Sequence, residues 1–537
     1  MNFLYKSKTT IFWILLFSIV GFYFISILFF GTTTFADPIR GYEIMNQYIS
    51  DGKWNTLNYP SIKHPEFSYF VSWWAPAQWV VPFLIMKIFN IESFQTIQSL
   101  LITISLSIAI FGYYKLFRKF GLSLNITLIS LICIITNQTF YWQILMYNGG
   151  DLFLLALFPI YIILTLKLKD DQKIRNVLLF FSFTLIGCFI KNSFILIAFS
   201  SCLFLFFSSN KKEFLQRIKA TLISFLVFGL IASIINYFYF SLGETPGKTI
   251  DLIGFSGIHN DIIGDLTYAI GSPVGIFTHL TFYIQKIYFL FFDKVNYSNS
   301  IQIIPAILTI SFLVKISRIE RTIYYSILLY FCIPFFIQMT SLYLLDKSVS
   351  YEMRHFAPFS FLFFPGLIYF ISNNKYKKIL FFLLFFISLS GLRSYFLNLK
   401  TIERTSSFWN TLKLPNNEVE LLKEINKLDK SSENALFLIE DKWLFSIGVK
   451  ENDKIVVTKE LEKYSVVSGM GLKEVDLIQI NDSLFNKYQS IFIVSSNCKS
   501  NGLIKIVTDN NFTGLKKKAQ FSIYKLNRSL NKIPNKI

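Results

Sequence analysis

Short basic clusters separate long apolar runs over most of this chain, and that alternation limits the fold more than any other feature. The clusters are KSK at 6–8, KLFRKFG at 115–121, KLKDDQKIR at 167–175, KKEFLQRIK at 211–219, VKISRIER at 314–321 and NNKYKK at 373–378. Between residues 11 and 397 the intervening stretches carry apolar runs long enough to cross a bilayer. Charged residues make up 16% of the chain, against about 25% in a soluble domain. A polytopic membrane protein follows, all-α in its membrane part. The net charge of +19 reads as loops marked by Lys and Arg on one membrane side, with no nucleic-acid partner.

If all six clusters face the cytoplasm, the chain crosses an even number of times between neighbours. Span one is 11–30, an uncleaved anchor with no small-residue cleavage site. Span two is 94–114. The stretch 69–90, with Pro76, Pro82 and three Trp, then lies at the membrane–water interface without crossing. Two spans fill 122–166, joined outside by residues 140–151. Lys191, Asn192 and Ser193 interrupt 176–208, giving two short spans with Lys191 at the outer tip. Span 220–240 and a long outer segment, 241–266, follow. Parity forbids 268–292 from crossing, and four more spans end near 396. The expectation is about eleven transmembrane helices, with the N-terminus cytoplasmic.

Composition changes near residue 400. From there to 537, polar stretches alternate with β-rich runs at 435–439, 454–458, 490–494 and 521–526. These predict a small α/β domain on the outer face. The membrane domain is 1–400, with 31–92 as its first outer loop. Cys133, Cys188, Cys202 and Cys332 fall in apolar spans and Cys498 stands alone in the tail, so there is neither a disulfide framework nor metal-ligand spacing.

The same topology gathers ionic residues on the outer side. The first loop supplies Asp37, Arg40, Glu43, Lys63 and His64, and the next two supply Asn148, Asp151, Lys191 and Asn192. The stretch LLDKSVSYEMRHFAPF supplies Glu352, Arg354 and His355. A charge in hydrocarbon costs about 2.5–3.5 kcal/mol on insertion scales, so such groups pair or line a wet cavity. Plainer roles exist for each. Lys191 has the position of a snorkelling lysine and Asp151 that of a helix N-cap. Glu352 and Arg354 are placed to pair with each other, and Asp37 before Pro38 suits a turn.

The order of these elements resembles the GT-C superfamily of integral membrane glycosyltransferases. It is most similar to the protein O-mannosyltransferases and the bacterial transferases that add aminoarabinose to lipid A. The family shows an acidic residue after span one, matched by Asp37, then a helical turn matched by GYEIMNQYISDG at 41–52. A basic-Pro-Pro element follows, matched by Lys63-His64-Pro65, with Glu66 where the second Pro would stand and either Lys63 or His64 in the basic role. An Asp opening a later span (Asp151), a Lys-containing break (Lys191) and an Arg-His before Pro (RHFAPF, 354–359) complete the match. Pro38 stands where many members carry a second acid.

The resemblance implies a polyprenyl-phosphate-sugar donor and a glycan, lipid or protein acceptor, with the reaction on the outer face of a bacterial plasma membrane. It implies Asp37 as general base. Arg40, Glu43, Lys63, His64, Asp151, Lys191, Glu352, Arg354 and His355 would bind substrate. No cofactor is expected: Asp37, Asp151 and Glu352 offer hard oxygen ligands, but no spacing calls for a divalent metal. Two other classes compete. One is a polyprenyl-linked glycan polymerase or ligase, which places its largest outer loop late in the chain. The other is a lipid-glycan transporter, for which no internal repeat is visible.

Overall fold

The computed structural model describes residues 2–30, 32–34, 41, 44–45, 48, 52, 54–58, 68–72, 75–91, 94–208, 214–242, 262–280, 283, 302–319, 323–344, 352–401, 424–425, 427–428, 431, 435–440, 454–458, 463–464, 475–476, 489–495, 512–517 and 522–526. The first half runs α1 (Asn2–Phe30), β1 (Thr33–Thr34), β2 (Thr56–Asn58), β3 (Ser68–Phe70), α2 (Ala77–Phe89), α3 (Phe94–Lys119), α4 (Leu124–Ile135), α5 (Gln138–Leu145), β4 (Met146–Tyr147), α6 (Gly149–Asp170), α7 (Ile174–Ile190), α8 (Phe194–Phe207) and α9 (Phe214–Phe238). Then come α10 (Ile262–Thr278), α11 (Ile303–Ile319), α12 (Ile323–Leu344, with a π-helical turn at Leu328–Cys332), α13 (Met353–Phe361), α14 (Phe364–Ser372) and α15 (Lys377–Thr401).

Among the described residues six helices are long and apolar enough to cross a membrane, or eight if each bent pair, α4–α5 and α13–α14, counts as one span. The chain is an integral membrane protein. Five further apolar helices are shorter than 18 residues, which is where the expected eleven spans and the described helices diverge. Lys191–Ser193, for example, splits one apolar stretch into helices of 17 and 14 residues. These two fold back as a hairpin: Tyr161 Oη meets both Thr184 and Ser201, about equally far from the tip. Gly187 makes the hairpin tight, because a Cβ there would overlap the Phe194 ring.

At or beside five of the six basic clusters, described residues make contacts that tie one end of the bundle together. Thr9 donates to Asn125 at 2.9 Å, Lys119 faces Asp170 at 4.0 Å, and Lys315 lies 4.1 Å from the centroid of Phe370. Phe120 packs on Tyr324, which reaches Gly366, so these ties belong to the same end.

Two readings differ from the structure. Residues 140–145, expected in an outer connection, continue as α5 at 55° to α4. Residues 262–278 form α10, a 17-residue helix packed inside the bundle, while most of the rest of the stretch expected not to cross, 268–292, lies outside the described residues. The small residues of α10 allow this packing, since a Cβ on Gly271 would lie 3.0 Å from the Ala306 nitrogen and 3.1 Å from the Gln302 carbonyl oxygen. Helices α10 and α11 run the same way: Gly271 meets 302–306, and Phe277 and Phe312 both reach the α13–α14 junction. Asp151 is not a cap either; Asn148 occupies that position.

Helix α2 has 13 residues, about 20 Å of helix against a hydrocarbon core of ~30 Å. Its Ala77, Gln78, Trp79 and Pro82 are buried while Leu84, Ile88 and Phe89 are exposed, as suits an interfacial helix. Beyond α15 lie β5 (Ala435–Glu440), β6 (Lys454–Thr458), the short pair β7 (Lys463–Tyr464) and β8 (Val475–Asp476), β9 (Ser490–Ser495), β10 (Phe512–Lys517) and β11 (Ser522–Leu526). Five of them make a mixed sheet, β10-β11-β9-β5-β6, with β5 parallel to β6 and β9, while β7 and β8 pair separately.

Candidate functional site

At the end of the bundle opposite the basic clusters, four ionic side chains from three separated segments meet. Asp151 stands in the first turn of α6, where a carboxylate is favoured by the helix dipole. Asn148 Nδ2 donates to Asp151 Oδ2 at 2.7 Å, and Lys191 Nζ pairs with Asp151 Oδ1. Arg354 Nη1 lies 3.5 Å from Asp151 Oδ2, and Arg354 Nε lies 2.9 Å from Glu352 Oε2.

The burial is graded. Side-chain exposure is 7% for Asp151, 15% for Lys191, 21% for Arg354 and 54% for Glu352. A carboxylate so enclosed is stable only with several partners, and Asp151 has an amide and two cations. Lys191 is therefore no snorkelling lysine. Arg354 pairs with Glu352, as the plainer reading had it, and reaches Asp151 as well.

The local sequence explains the convergence. Asn148-Gly149-Gly150-Asp151 opens α6 with two residues lacking side chains. A Cβ on Gly149 would meet Gln78 Cβ at 2.6 Å, and one on Gly150 would lie 3.2 Å from the Ile190 carbonyl oxygen. The two glycines thus let α2 and the end of α7 press on the turn that carries Asp151, bringing Lys191 with them. Arg354 is fixed from below. Phe359, in the same helix, packs 4.6 Å from Phe158 of α6 and stacks 3.7 Å from Phe335 of α12. His355 sits beside the cluster, within electrostatic reach of Lys191 and Arg354. Neither of its buried ring nitrogens has a hydrogen-bond partner among the described residues.

Of the residues singled out by sequence, the structure brings together Asp151, Lys191, Glu352, Arg354 and His355. Asp37, Arg40, Glu43, Lys63 and His64 lie outside the described residues. The chain just before Asp37 is located: Thr33 and Thr34 pair in parallel with Met146 and Tyr147, which run directly into Asn148.

Sequence reading did not name the residues that line the apolar groove near this cluster. A cavity of about 620 Å³ opens between α2, α3, α6 and α7, within the usual size range for ligand sites, about 300–1,000 Å³. Its wall includes Ala77, Ser105, Phe153, Ala156, Phe183 and Ile190, with Trp54 of the first loop at its side. Ile190 is the neighbour of Lys191, and Phe153 is two residues from Asp151. The small residues Ala77 and Ala156 and the interruptions Pro76 and Pro159 were the available signal, but small residues on a membrane helix mark close helix packing as readily as a groove. Among the described residues no group of three His, Cys, Asp or Glu side chains converges where a metal would sit.

No protein-family model matches the chain, and no curated protein matches its sequence. Among solved structures it is similar to ArnT from Cupriavidus metallidurans bound to undecaprenyl phosphate, at 10% identity and a TM-score of 0.47, over 96% of this chain and 98% of that one. A likeness at that level leaves the chemistry of this chain to be argued from its own residues.

Proposed function

We propose that the protein is a membrane glycosyltransferase that moves a sugar from a polyprenyl-phosphate donor to an acceptor hydroxyl at the outer membrane surface. The observation that carries this reading is the pair of cations, Lys191 and Arg354, gathered on the buried Asp151 by helices of which two also wall an apolar groove. A polyprenyl phosphate has that same division: an isoprenoid tail for the groove and an anionic head for Lys191 and Arg354. Arg354 suits bidentate contact with phosphate oxygens, and Lys191 supplies a compact charge.

Asp37 takes the acceptor's proton as the acceptor oxygen attacks the anomeric carbon. The bond from that carbon to the phosphate oxygen breaks, and the electron pair leaves on the polyprenyl phosphate. Fixed cations stabilise the charge that develops there. Asp151 holds the two cations in place, and His355 faces the same space. Asp37 is three residues beyond Thr34, at most about 11 Å of extended chain, and Thr34 is paired beside the Asn148 turn.

The test is incubation of the purified protein with radiolabelled polyprenyl-phosphate sugars and an acceptor mixture. Release of polyprenyl phosphate matched by labelled acceptor is the expected result. A carrier would move the lipid without breaking the sugar–phosphate bond, so intact donor after prolonged incubation refutes the proposal. Asp37→Asn is expected to lower transfer by about 100-fold or more, with the protein still folded and still binding polyprenyl phosphate. Full activity in that variant removes Asp37 from the mechanism.

A further inference from the structure

The residue after Lys191 makes a contact that a hairpin tip does not need. Asn at such a position ordinarily caps the following helix. Here Ser193 occupies the cap position of α8, and Asn192 Nδ2 instead donates to the Ser72 carbonyl oxygen at 3.1 Å, 120 residues away in sequence. Ser72 ends the segment that runs from β3 toward α2, and its neighbour Val71 is held just as firmly. The Val71 carbonyl oxygen accepts from Asn55 Nδ2 at 2.6 Å and from Tyr239 Oη at 2.9 Å. The Val71 N–H donates to the Asn55 carbonyl oxygen at 2.9 Å. Tyr239, just past the end of α9, also packs edge-on against Phe70 at 5.4 Å.

Two successive carbonyls are therefore clamped from three directions: the first loop, α9 and the Lys191 hairpin. All of Asn55, Val71 and Ser72 are buried, so these bonds are shielded from competition by water. The clamped segment joins two parts of the site. Upstream in sequence lie Lys63 and His64; downstream lies α2, which walls the groove.

We infer that Asn192 is a positioning residue: by tying the Lys191 hairpin to Ser72, it makes the phosphate-facing lysine and the first outer loop move as one unit. Tyr239 holds the same segment from the other side. This rests on the glycosyltransferase reading. The clamp acts on the alignment of donor and acceptor, while binding of the lipid phosphate is left to Lys191, Arg354 and the groove.

The test compares Asn192→Ala and Tyr239→Phe with the unaltered protein, the second variant lying away from the cations. Three quantities are read: kcat and KM for donor, affinity for undecaprenyl phosphate alone, and amide hydrogen exchange across residues 55–72. The expected result is a fall in kcat of about tenfold or more, since small misplacements of reacting groups are costly. Affinity for undecaprenyl phosphate stays within about twofold, and exchange at the Val71 amide rises severalfold in both variants. Unchanged exchange, or a loss of activity that only tracks the loss of folded protein, overturns the clamp. A protein that exchanges as expected but never transfers sugar overturns the functional reading, and the positioning role of Asn192 with it.

Discussion

The bundle contains two bent helix pairs, α4–α5 at 55° and α13–α14 at 54°, and the two bends are held differently. Each aims its outer half at the site. Helix α5 leads through β4 to Asn148 and Asp151, and Glu352 stands just before α13, whose first turn carries Arg354 and His355. A break in a membrane helix frees backbone groups that must find partners inside the protein. At the first bend the partners are spread over three helices. Tyr23 Oη of α1 donates to the Ile135 carbonyl oxygen at 2.7 Å, Asn137 Nδ2 donates to the Ile276 carbonyl oxygen of α10 at 2.7 Å, and Gly391 of α15 fits against Thr136. At the second bend one hydroxyl serves both sides. Tyr324 Oη donates to the Leu362 carbonyl oxygen at 2.7 Å and accepts from the Gly366 N–H at 2.9 Å. The same angle is thus maintained once by contacts from three helices and once mainly by Tyr324, with Tyr113 Oη of α3 donating to the Pro358 carbonyl oxygen at 3.3 Å.

That difference can be broken by substitution. The largest effect is expected from Gly391→Ala, because the added Cβ would overlap the Thr136 carbonyl oxygen. Backbone against backbone has no rotamer to relieve it, so about 3 kcal/mol of stability is lost, read as a lower unfolding midpoint in detergent. Next comes Tyr324→Phe. It strands a buried carbonyl and a buried N–H together and is expected to cost about 2–3 kcal/mol. Because α13 carries Arg354, the same variant is expected to weaken binding of undecaprenyl phosphate, measured by titration. Tyr23→Phe, the matching change at the first bend, removes one bond and is expected to cost about 1 kcal/mol. Equal losses for the two Tyr variants would show that Tyr324 is not the main support of the second bend. Asn137→Ala is expected to cost about 1 kcal/mol as well, since Asn137 Oδ1 also caps α5 through the Thr139 N–H at 3.1 Å.

The bends also mark where sequence reading succeeds and where it stops. Thr136-Asn137 is a legible helix junction, because Asn137 is a good cap, yet charge parity alone carried residues 140–145 out of the helix. Pro358, Pro365 and Gly366 are written signs of the second bend; nothing near them names Tyr324, about 40 residues earlier. The meeting of Asp151, Lys191 and Arg354 was legible because a charge at the edge of an apolar run has few places to go. The lining of the groove was not, since it is defined by the space between four helices and not by any one of them. Four of the sheet's strands, β5, β6, β9 and β11, were written as β-rich runs. The fifth, FTGLKK at 512–517, carries too few apolar residues to announce itself.

The pairing of β1 with β4 is only two residues long, but it joins positions 33 and 146. During synthesis the first helix and the chain that follows it emerge well before that partner exists. The loop bearing Asp37 therefore has no strand to register against until the segment through Tyr147 has been made and inserted. Assembly of this pocket waits on a late, long-range contact of the kind that slows folding. A ribosome-stalled intermediate ending before residue 146 should hold its opening helix in the bilayer yet leave the ionic face unfinished, detectable as ready labelling of a cysteine placed at Thr33.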